Sequence, residues 1–214
     1  RFMGISERKQ REREQRSELI LDAAEQLFFE KGFESTTVDH VAKKAELAKG
    51  TVYLYFQSKD ELLLNVNLRG VKRLRSYLQA SISNELTGRK QVRAIGMAYR
   101  KFALENVQYF ALMNQSDSKR HACAVENKSD DLTLQEENEN GLRILIESIM
   151  KGQADGSIRK ELDAFTLAIQ LWATLRGLLV VQIFEQPNIN ILAGKDFDEI
   201  VFSYLDLLEV SMKN

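Results

Sequence analysis

The sequence is poor in the residues that build metal centres and disulfide scaffolds. Its 214 residues include one cysteine, one proline and two histidines. A single cysteine excludes a disulfide-stabilised fold and a cysteine-rich zinc site, and it is typical of a reducing compartment. His121 and Cys123 are too few and too closely spaced to hold structural zinc, and His40 stands alone. We therefore predict no metal and no cofactor.

The sequence also lacks the segments that mark membrane and secreted proteins. In the apolar C-terminal half, the longest uncharged stretch covers 12 residues, 164–175, and ends at Arg176. A membrane-spanning helix needs roughly 20 residues. Residues 8–16 are densely charged, whereas a secretory signal is apolar near its start. We expect a cytoplasmic protein that has no membrane partner.

Motifs of common enzyme classes are absent as well. The chain contains no glycine-rich phosphate loop, no Gly-x-Ser-x-Gly elbow and no His-Glu-x-x-His pair. We therefore predict no catalytic residues and a function other than that of an enzyme.

Charge is distributed unevenly along the chain, although its net value is −1. Residues 1–75 contain 15 Lys and Arg against 12 Asp and Glu, which gives +3, and the remaining residues carry −4. A basic first part next to an acidic second part favours contact of the first part with a polyanion.

Apolar residues repeat with the spacing of helices nearly throughout. Ile20, Ala24, Leu27 and Phe28 form one stripe, and Gly32 follows as a stop signal. Similar stripes occur at 92–103 and 142–149, whereas alternating strand patterns are essentially absent. The sequence therefore predicts an all-α protein.

Turn residues and helix-start signals divide the chain. We predict a first helix that ends at Gly32, short helices at 38–45 and 49–55, and a long helix from Lys59 toward Ser83, which Ser58-x-x-Glu61 opens as a capping box. Thr87-Gly88 separates this part from a second helical block, in which 115–131 is polar and predicted to hold a loop. The predicted domains are residues 14–75 and a larger domain, 76–214.

The two short helices and the tight turn between them are typical of a helix-turn-helix, at about 37–56. Val41, Ala42 and Ala45 give the first of them an inward face, and Val52 and Phe56 do so for the second. The outward positions carry charge, hydroxyl groups and aromatic rings, which suit phosphates and base edges. These outward residues are Lys49, Thr51, Tyr53 and Tyr55, with Lys59 at the start of the next helix.

The same region resembles the tetracycline-repressor (TetR) family of transcription regulators. The resemblance lies in the runs GFESTTV at 32–38 and AKGTVYLYFQSKDEL at 48–62, with ILDAAEQLF at 20–28 upstream. It covers about residues 14–75, and beyond them the chain is similar only in being helical. Two positions depart from the family pattern, since Glu46 stands where glycine is frequent and Ala48 where a hydroxyl residue is frequent.

The resemblance implies a homodimer that places one recognition helix per subunit in successive major grooves of a palindromic operator, roughly 34–36 Å apart. Thr37 then caps a helix beside phosphate, Lys49 and Lys59 neutralise phosphates, and Gly50 leaves the backbone open to one. Thr51 and Tyr53 face base edges, and Tyr55 flanks the backbone. The predicted DNA-binding residues are Thr37, Lys49, Gly50, Thr51, Tyr53, Tyr55 and Lys59.

The charged N-terminal run has two interpretations. Arg8, Lys9, Arg11, Arg13 and Arg16 form either an arm toward a minor groove or a solvated helix end. Acidic residues interleave with these cations and favour the second interpretation.

Apolar residues of 165–184 cover nearly every face of a predicted helix, so that it must be covered on all sides. A partner subunit would cover one side, together with the final helix, whereas the alternative is a monomer with a deep core. The predicted dimer residues are Leu171, Leu175, Leu179, Ile183, Val201, Tyr204, Leu205 and Leu208.

Flexible methionines and flat rings, with few polar groups, suit an apolar ligand cavity in the second domain. The predicted ligand-binding residues are Met97, Tyr99, Phe102, Tyr109, Phe110, Met113, Trp172 and Arg176. For each aromatic residue the alternative is a place in the core, and for Arg176 it is a structural ion pair.

These features together predict a repressor that a small apolar or amphipathic molecule releases from double-stranded operator DNA. A second hypothesis keeps the DNA-binding unit and makes the second domain a platform for protein interactions without a small-molecule ligand. The operator, the effector and the choice between repression and activation remain open.

Overall fold

The computed structural model describes residues 5–120, 128–185 and 196–213, and helices account for most of them. No strand occurs in these three ranges, which confirms the all-α prediction. The helices are α1 (Ile5–Ser35), α2 (Val38–Lys44), α3 (Lys49–Tyr53), α4 (Lys59–Ser81), α5 (Gly88–Glu105), α6 (Val107–Arg120), α7 (Lys128–Ala154), α8 (Ala164–Val180), a π-helical turn (Val181–Glu185) and α9 (Phe197–Ser211).

The chain forms two compact units. The first comprises residues 1–70 and 115–135, and the second comprises 71–114 and 136–214. Helix α4 begins in the first unit and ends in the second without interruption.

The first unit has a core built from the predicted stripe of α1. Ile20 and Ala24 are fully buried, as are Val41 of α2 and Val52 of α3. Gly32 interrupts α1 with a left-handed φ of 78°, so the predicted helix stop is found at that residue. The buried hydroxyl of Thr36 donates a hydrogen bond to the Gly32 carbonyl at 2.8 Å and so fixes the chain direction before α2.

The second unit packs α5, α8 and α9 around one apolar core. The stripe predicted on α5 is buried, and Phe102 and Ala103 are fully enclosed. Gly88 lies so close to Gly152 of α7 that a Cβ atom at position 88 would be 2.0 Å from the Gly152 nitrogen. This approach fixes the first turn of α5 against α7 at a distance that only glycine allows.

The predicted loop at 115–131 is wrong for part of its length. Residues 115–120 belong to α6 and residues 128–131 to α7, while 121–127, with His121 and Cys123, lie outside the described residues. A missing apolar stripe shows that a segment has no buried face, and polar residues still form helices. Pro187, expected to stop the long apolar helix, and Gly194, expected to precede the last helix, also lie outside the described residues.

The helix predicted over 165–184 is present. Together with the π-helical turn, α8 gives a 22-residue helix, Ala164–Glu185, that is long and apolar enough to cross a bilayer. The uncharged stretch that ends at Arg176 underestimates this length, because one arginine does not end a helix. Ala168, Leu171, Leu175 and Leu179 are buried within the second unit, so one side of this helix belongs to a core.

Candidate functional site

Helix α2 starts with a capping arrangement that uses a histidine. The Thr37 hydroxyl accepts a hydrogen bond from the His40 backbone N–H at 3.2 Å, and the His40 ring Nδ1 accepts one from the Thr37 N–H at 3.3 Å. Thr37 is therefore a helix cap, as predicted, and is exposed. The role of His40 was missed because capping boxes are recognised by Glu or Gln at that position.

The turn between α2 and α3 contains a strained residue. Among the residues that the structure describes, Glu46 is the single non-glycine residue with a left-handed backbone, and its φ is 55°. This is the position at which the resembling family often has glycine, the residue that adopts this conformation without a steric cost. The turn still closes, because the Leu47 N–H donates to the Ala42 carbonyl at 2.9 Å.

Helix α3 divides cleanly into a buried and an open side. Val52 is fully buried and Phe56, just beyond the helix, is 5% exposed. Lys49 and Gly50 are exposed, and Tyr53 is 44% exposed. The residue that precedes the helix, Ala48, offers no side-chain cap.

The remaining residues of this surface are less open. Thr51 and Tyr55 are both half-buried. Leu54 was not predicted as a site residue, yet its side chain is 77% exposed between Tyr53 and Tyr55. The sequence signal for this exposure was that Leu54 lies two positions from each of the inward-facing residues Val52 and Phe56. A methyl group at this position is suited to contact a thymine methyl.

Lys49 is held by a carboxylate of the neighbouring helix. Its Nζ lies 3.1 Å from Oδ2 of Asp39 on α2, and both side chains are about half exposed. The hydrogen bond and the charge of Asp39 raise the pKa of Lys49 above its ordinary value. An ion pair as exposed as this is weak, so a phosphate can replace the carboxylate.

Lys59 is engaged within the first unit. Its Nζ donates a hydrogen bond to the Phe33 carbonyl at 3.0 Å and lies 4.1 Å from the centre of the Phe33 ring. The predicted capping box is present at the start of α4. Ser58 Oγ accepts a hydrogen bond from the Glu61 N–H at 3.1 Å, and the Glu61 carboxylate accepts one from the Gln57 N–H at 2.6 Å. The start of α4 is thus fixed to the end of α1.

A second contact ties α4 to α1 further along. The Arg69 guanidinium binds three carboxylates of α1: Glu18, Asp22 at 2.8 Å and Glu25 at 3.1 Å. Burial alone would lower the pKa of Arg69, but the hydrogen bonds that it donates to these carboxylates outweigh burial and raise the pKa. No sequence motif pointed to this contact, because the partners lie more than 40 positions away.

The predicted ligand-binding residues occupy three kinds of environment. Tyr99, Phe102, Tyr109 and Phe110 are buried. Phe110 meets the Tyr99 ring edge-on at 6.1 Å and stacks on Phe184 at 6.2 Å. The two methionines, Met97 and Met113, are half-buried, whereas Trp172 is 39% exposed.

Arg176 has a structural partner. Its Nε donates a hydrogen bond to Oδ1 of Asn114 at 2.6 Å, and its guanidinium lies 5.1 Å from the Trp172 ring. Asn114 in turn donates to the Phe110 carbonyl at 2.7 Å. One partner of Arg176 is thus a side-chain amide.

The predicted dimer residues lie in or against the core of their own unit. Five of these side chains are buried there: Leu171, Leu175, Leu179, Val201 and Leu205. Ile183, Tyr204 and Leu208 are half-buried against the same core. Sequence spacing found the stripe but could not distinguish the core face from a subunit face, because both are apolar.

Other apolar side chains of the same helices are open. On α8 these are Phe165 at 58% exposure, Ile169 at 36% and Trp172 at 39%, which follow one another at helical spacing. On α9, Leu207 is 65% exposed and Val210 is 72% exposed. We call these five residues the open apolar face. No group of three or more metal-ligating side chains occurs in the described ranges.

Comparisons with known proteins support one family over most of the chain. Residues 20–66 match the model of bacterial regulatory proteins of the tetR family, and residues 92–201 match a tetracyclin repressor-like C-terminal domain. The fatty acid metabolism regulator protein of Bacillus subtilis (strain 168) is 23% identical over 178 residues, which cover 81% of this chain and 87% of that protein.

Solved structures share the fold. The transcriptional regulator FadR from Bacillus subtilis, crystallised in complex with stearoyl-CoA, superimposes with a TM-score of 0.68 at 19% identity, over 89% of this chain and 96% of that one. A protein with unknown function from Rhodococcus sp. RHA1 gives a TM-score of 0.75 at 22% identity, over 93% and 96%. With both domain models matched, the chain belongs to the TetR family of bacterial transcriptional regulators, which bind DNA through a helix-turn-helix.

Proposed function

We propose that this regulator is a repressor that occupies a palindromic operator as a homodimer and leaves it when a small apolar or amphipathic ligand binds the second unit. The observation that carries the proposal is the division of α3, where Lys49, Gly50 and Tyr53 are open while Val52 and Phe56 are buried. A buried face fixes the helix in its unit, and the opposite face is left for a partner. The protein would act in the cytoplasm, where the operator lies.

On the DNA, each predicted residue has a distinct task. Lys49 exchanges Asp39 for a phosphate, and Thr37 lies beside the open N–H groups that start α2. Thr51, Tyr53 and the newly found Leu54 face base edges and thymine methyls in the major groove. Lys59 keeps its contact with Phe33 and adds positive charge near the DNA backbone. Tyr55 flanks the same backbone.

The homodimer follows from the operator symmetry and from the open apolar face. Two recognition helices must lie roughly 34–36 Å apart to enter successive major grooves. Pairing of Phe165, Ile169 and Trp172 with the same residues of a second copy would cover side chains that the chain leaves exposed.

The effector is proposed to be an acyl compound or another amphipathic molecule. This proposal is supported by the similarity to a protein named a fatty acid metabolism regulator and to a structure that contains stearoyl-CoA. Tyr99, Phe110 and Met113 supply apolar surface, and the Arg176 guanidinium can interact with an anionic group. Release requires that the ligand bind the DNA-free arrangement more tightly than the DNA-bound one.

Footprinting of the purified protein on genomic DNA tests the proposal. We expect protected palindromes, and we expect Lys49→Ala with Tyr53→Ala to lower operator affinity at least about tenfold, because the double substitution removes one phosphate-binding and one base-binding side chain from each subunit. Lys160→Ala, an exposed lysine of the second unit, is the charge control and should bind normally. A folded double variant that binds like the wild type would refute the assignment of α3.

Stearoyl-CoA and free fatty acids are the probes for the effector. We expect one of them to raise the thermal stability of the protein and to release the operator. If none does either while DNA binding stays intact, the second unit is better explained as a platform for protein interactions.

A further inference from the structure

We infer that the N-terminal part of α1, ahead of the helix-turn-helix, is a second DNA-binding element that lies along the phosphate backbone through Lys9, Arg13 and Arg16. The inference rests on the proposed operator binding and extends it to DNA that flanks the recognition helices.

The geometry of α1 groups these three cations. The structure shows a continuous helix from Ile5, so this segment is not an extended arm. At 3.6 residues per turn, Lys9, Arg13 and Arg16 lie within a band of about 80° that also contains the core residues of α1. Those core residues are Ile20, Ala24 and Leu27, all buried. The cations therefore continue the buried stripe beyond the end of the core.

The acidic residues lie elsewhere on the helix. Glu7, Glu14, Glu18 and Glu25 share a narrow band about 150° away from the cations. Arg69 binds Glu18 and Glu25 on that side. The band of the three cations contains no acidic residue, which suits a surface for a polyanion.

The cations are also available. Lys9, Arg13 and Arg16 are exposed, and within the described ranges no ion pair involves them. The acidic residue nearest to their band, Glu12, is held by Arg8 at 3.0 Å. The row thus presents three unneutralised positive charges.

Duplex DNA is the partner that this row fits best. Arg16 lies seven positions after Lys9, a rise of about 10 Å, which equals about three base-pair steps along the duplex axis. Residues 7–18 contain no aliphatic or aromatic side chain, and a helix that binds a membrane surface needs such an apolar face. Cations that lie along the backbone pair with phosphates and do not reach base edges in a groove, so the row adds affinity without sequence preference.

The test is a triple variant, Lys9→Gln with Arg13→Gln and Arg16→Gln, measured on the footprinted operator and on an unrelated duplex at several salt concentrations. Because the variant dimer lacks six phosphate-binding cations, the slope of log affinity against log salt should fall by about 5, and affinity should fall equally for both duplexes. The control variant, Arg11→Gln with Lys31→Gln and Lys160→Gln, removes the same charge from other exposed positions and should keep the slope.

The possible results separate the two proposals. A wild-type slope in the triple variant, or an equal fall in the control, would overturn the role of this row while operator binding stands. Absence of DNA binding by the wild type would overturn both proposals. A triple variant that loses binding to vesicles of anionic phospholipid, with DNA binding intact, would assign the row to a membrane surface instead.

Discussion

The two units differ in how far their exposed surfaces follow from local sequence pattern. In the first unit, α3 buries Val52 and leaves Lys49 and Tyr53 open, in agreement with the pattern of apolar and polar residues. In the second unit, α8 is apolar on both sides, and the predicted dimer residues Leu171 and Leu175 lie in the core. A polar helix face can be recognised as exposed from the sequence pattern. Where both faces of a helix are apolar, only the packing shows which of them is exposed.

This difference has a consequence for how substitutions act. In the first unit, changes on the open side of α3 should alter binding and leave the fold intact. In the second unit, substitutions on the two sides of α8 should have different effects. A change on the buried side should lower the stability of the protomer, and a change on the open side should weaken the dimer.

The largest expected effect separates the two faces of α8. Leu179 is fully buried, so Leu179→Ala should lower the free energy of unfolding by about 2–5 kcal/mol in a denaturant titration. Trp172→Ala, on the open apolar face, should keep the protomer folded and weaken the dimer at least about tenfold in sedimentation equilibrium. The reverse pattern would return the subunit face to the residues that the sequence predicted.

An effect of about 3 kcal/mol is expected at the glycine contact of the second unit. In Gly88→Ala the new methyl group would collide with the Gly152 backbone, and the free energy of unfolding should fall by about 3 kcal/mol. Gly50→Ala in α3 is the matched control, because nothing lies within 4 Å of its Cβ position. The free energy of unfolding of this control should equal that of the wild type or exceed it by up to about 1 kcal/mol. Equal losses in both variants would contradict the packing difference between the units.

The smallest expected effect is a gain. Glu46→Gly should raise the free energy of unfolding by about 0.5–1 kcal/mol, because glycine adopts the left-handed backbone of this turn without strain. Lys43→Gly, three residues earlier in α2, should lower it by about 1 kcal/mol. Thermal melts of both variants at equal concentration measure the pair. A loss in both would show that the turn is not strained at Glu46.

The sequence was sufficient for local features of the first unit. Helices α2 and α4 begin at the predicted residues, the predicted end of the first helix is found at Gly32, and the Ser58 cap is present. Each of these depends on residues a few positions apart, where spacing carries the information.

Contacts between distant positions were out of reach. The Arg69 guanidinium meets carboxylates 44 to 51 positions away, and Lys59 reaches a carbonyl 26 positions away. The pairing of Arg176 with Asn114 across 62 positions is of the same kind. Such pairs depend on which helix faces meet, which one sequence without its packing does not reveal. The domain boundary and the ligand-binding residues stay predictions.

The Arg69 contact limits how the first unit can move. Its carboxylate partners occupy two successive turns of α1, so α1 cannot slide along α4 or roll on it without breaking several ion pairs at once. A displacement of α4 should therefore carry α1 with it. Because α2 packs on α1 and α3 packs on α2, α3 should be reoriented without being deformed. Operator-bound and effector-bound forms should then superimpose closely over residues 18–70, with the recognition helix included, when the first unit is aligned by itself.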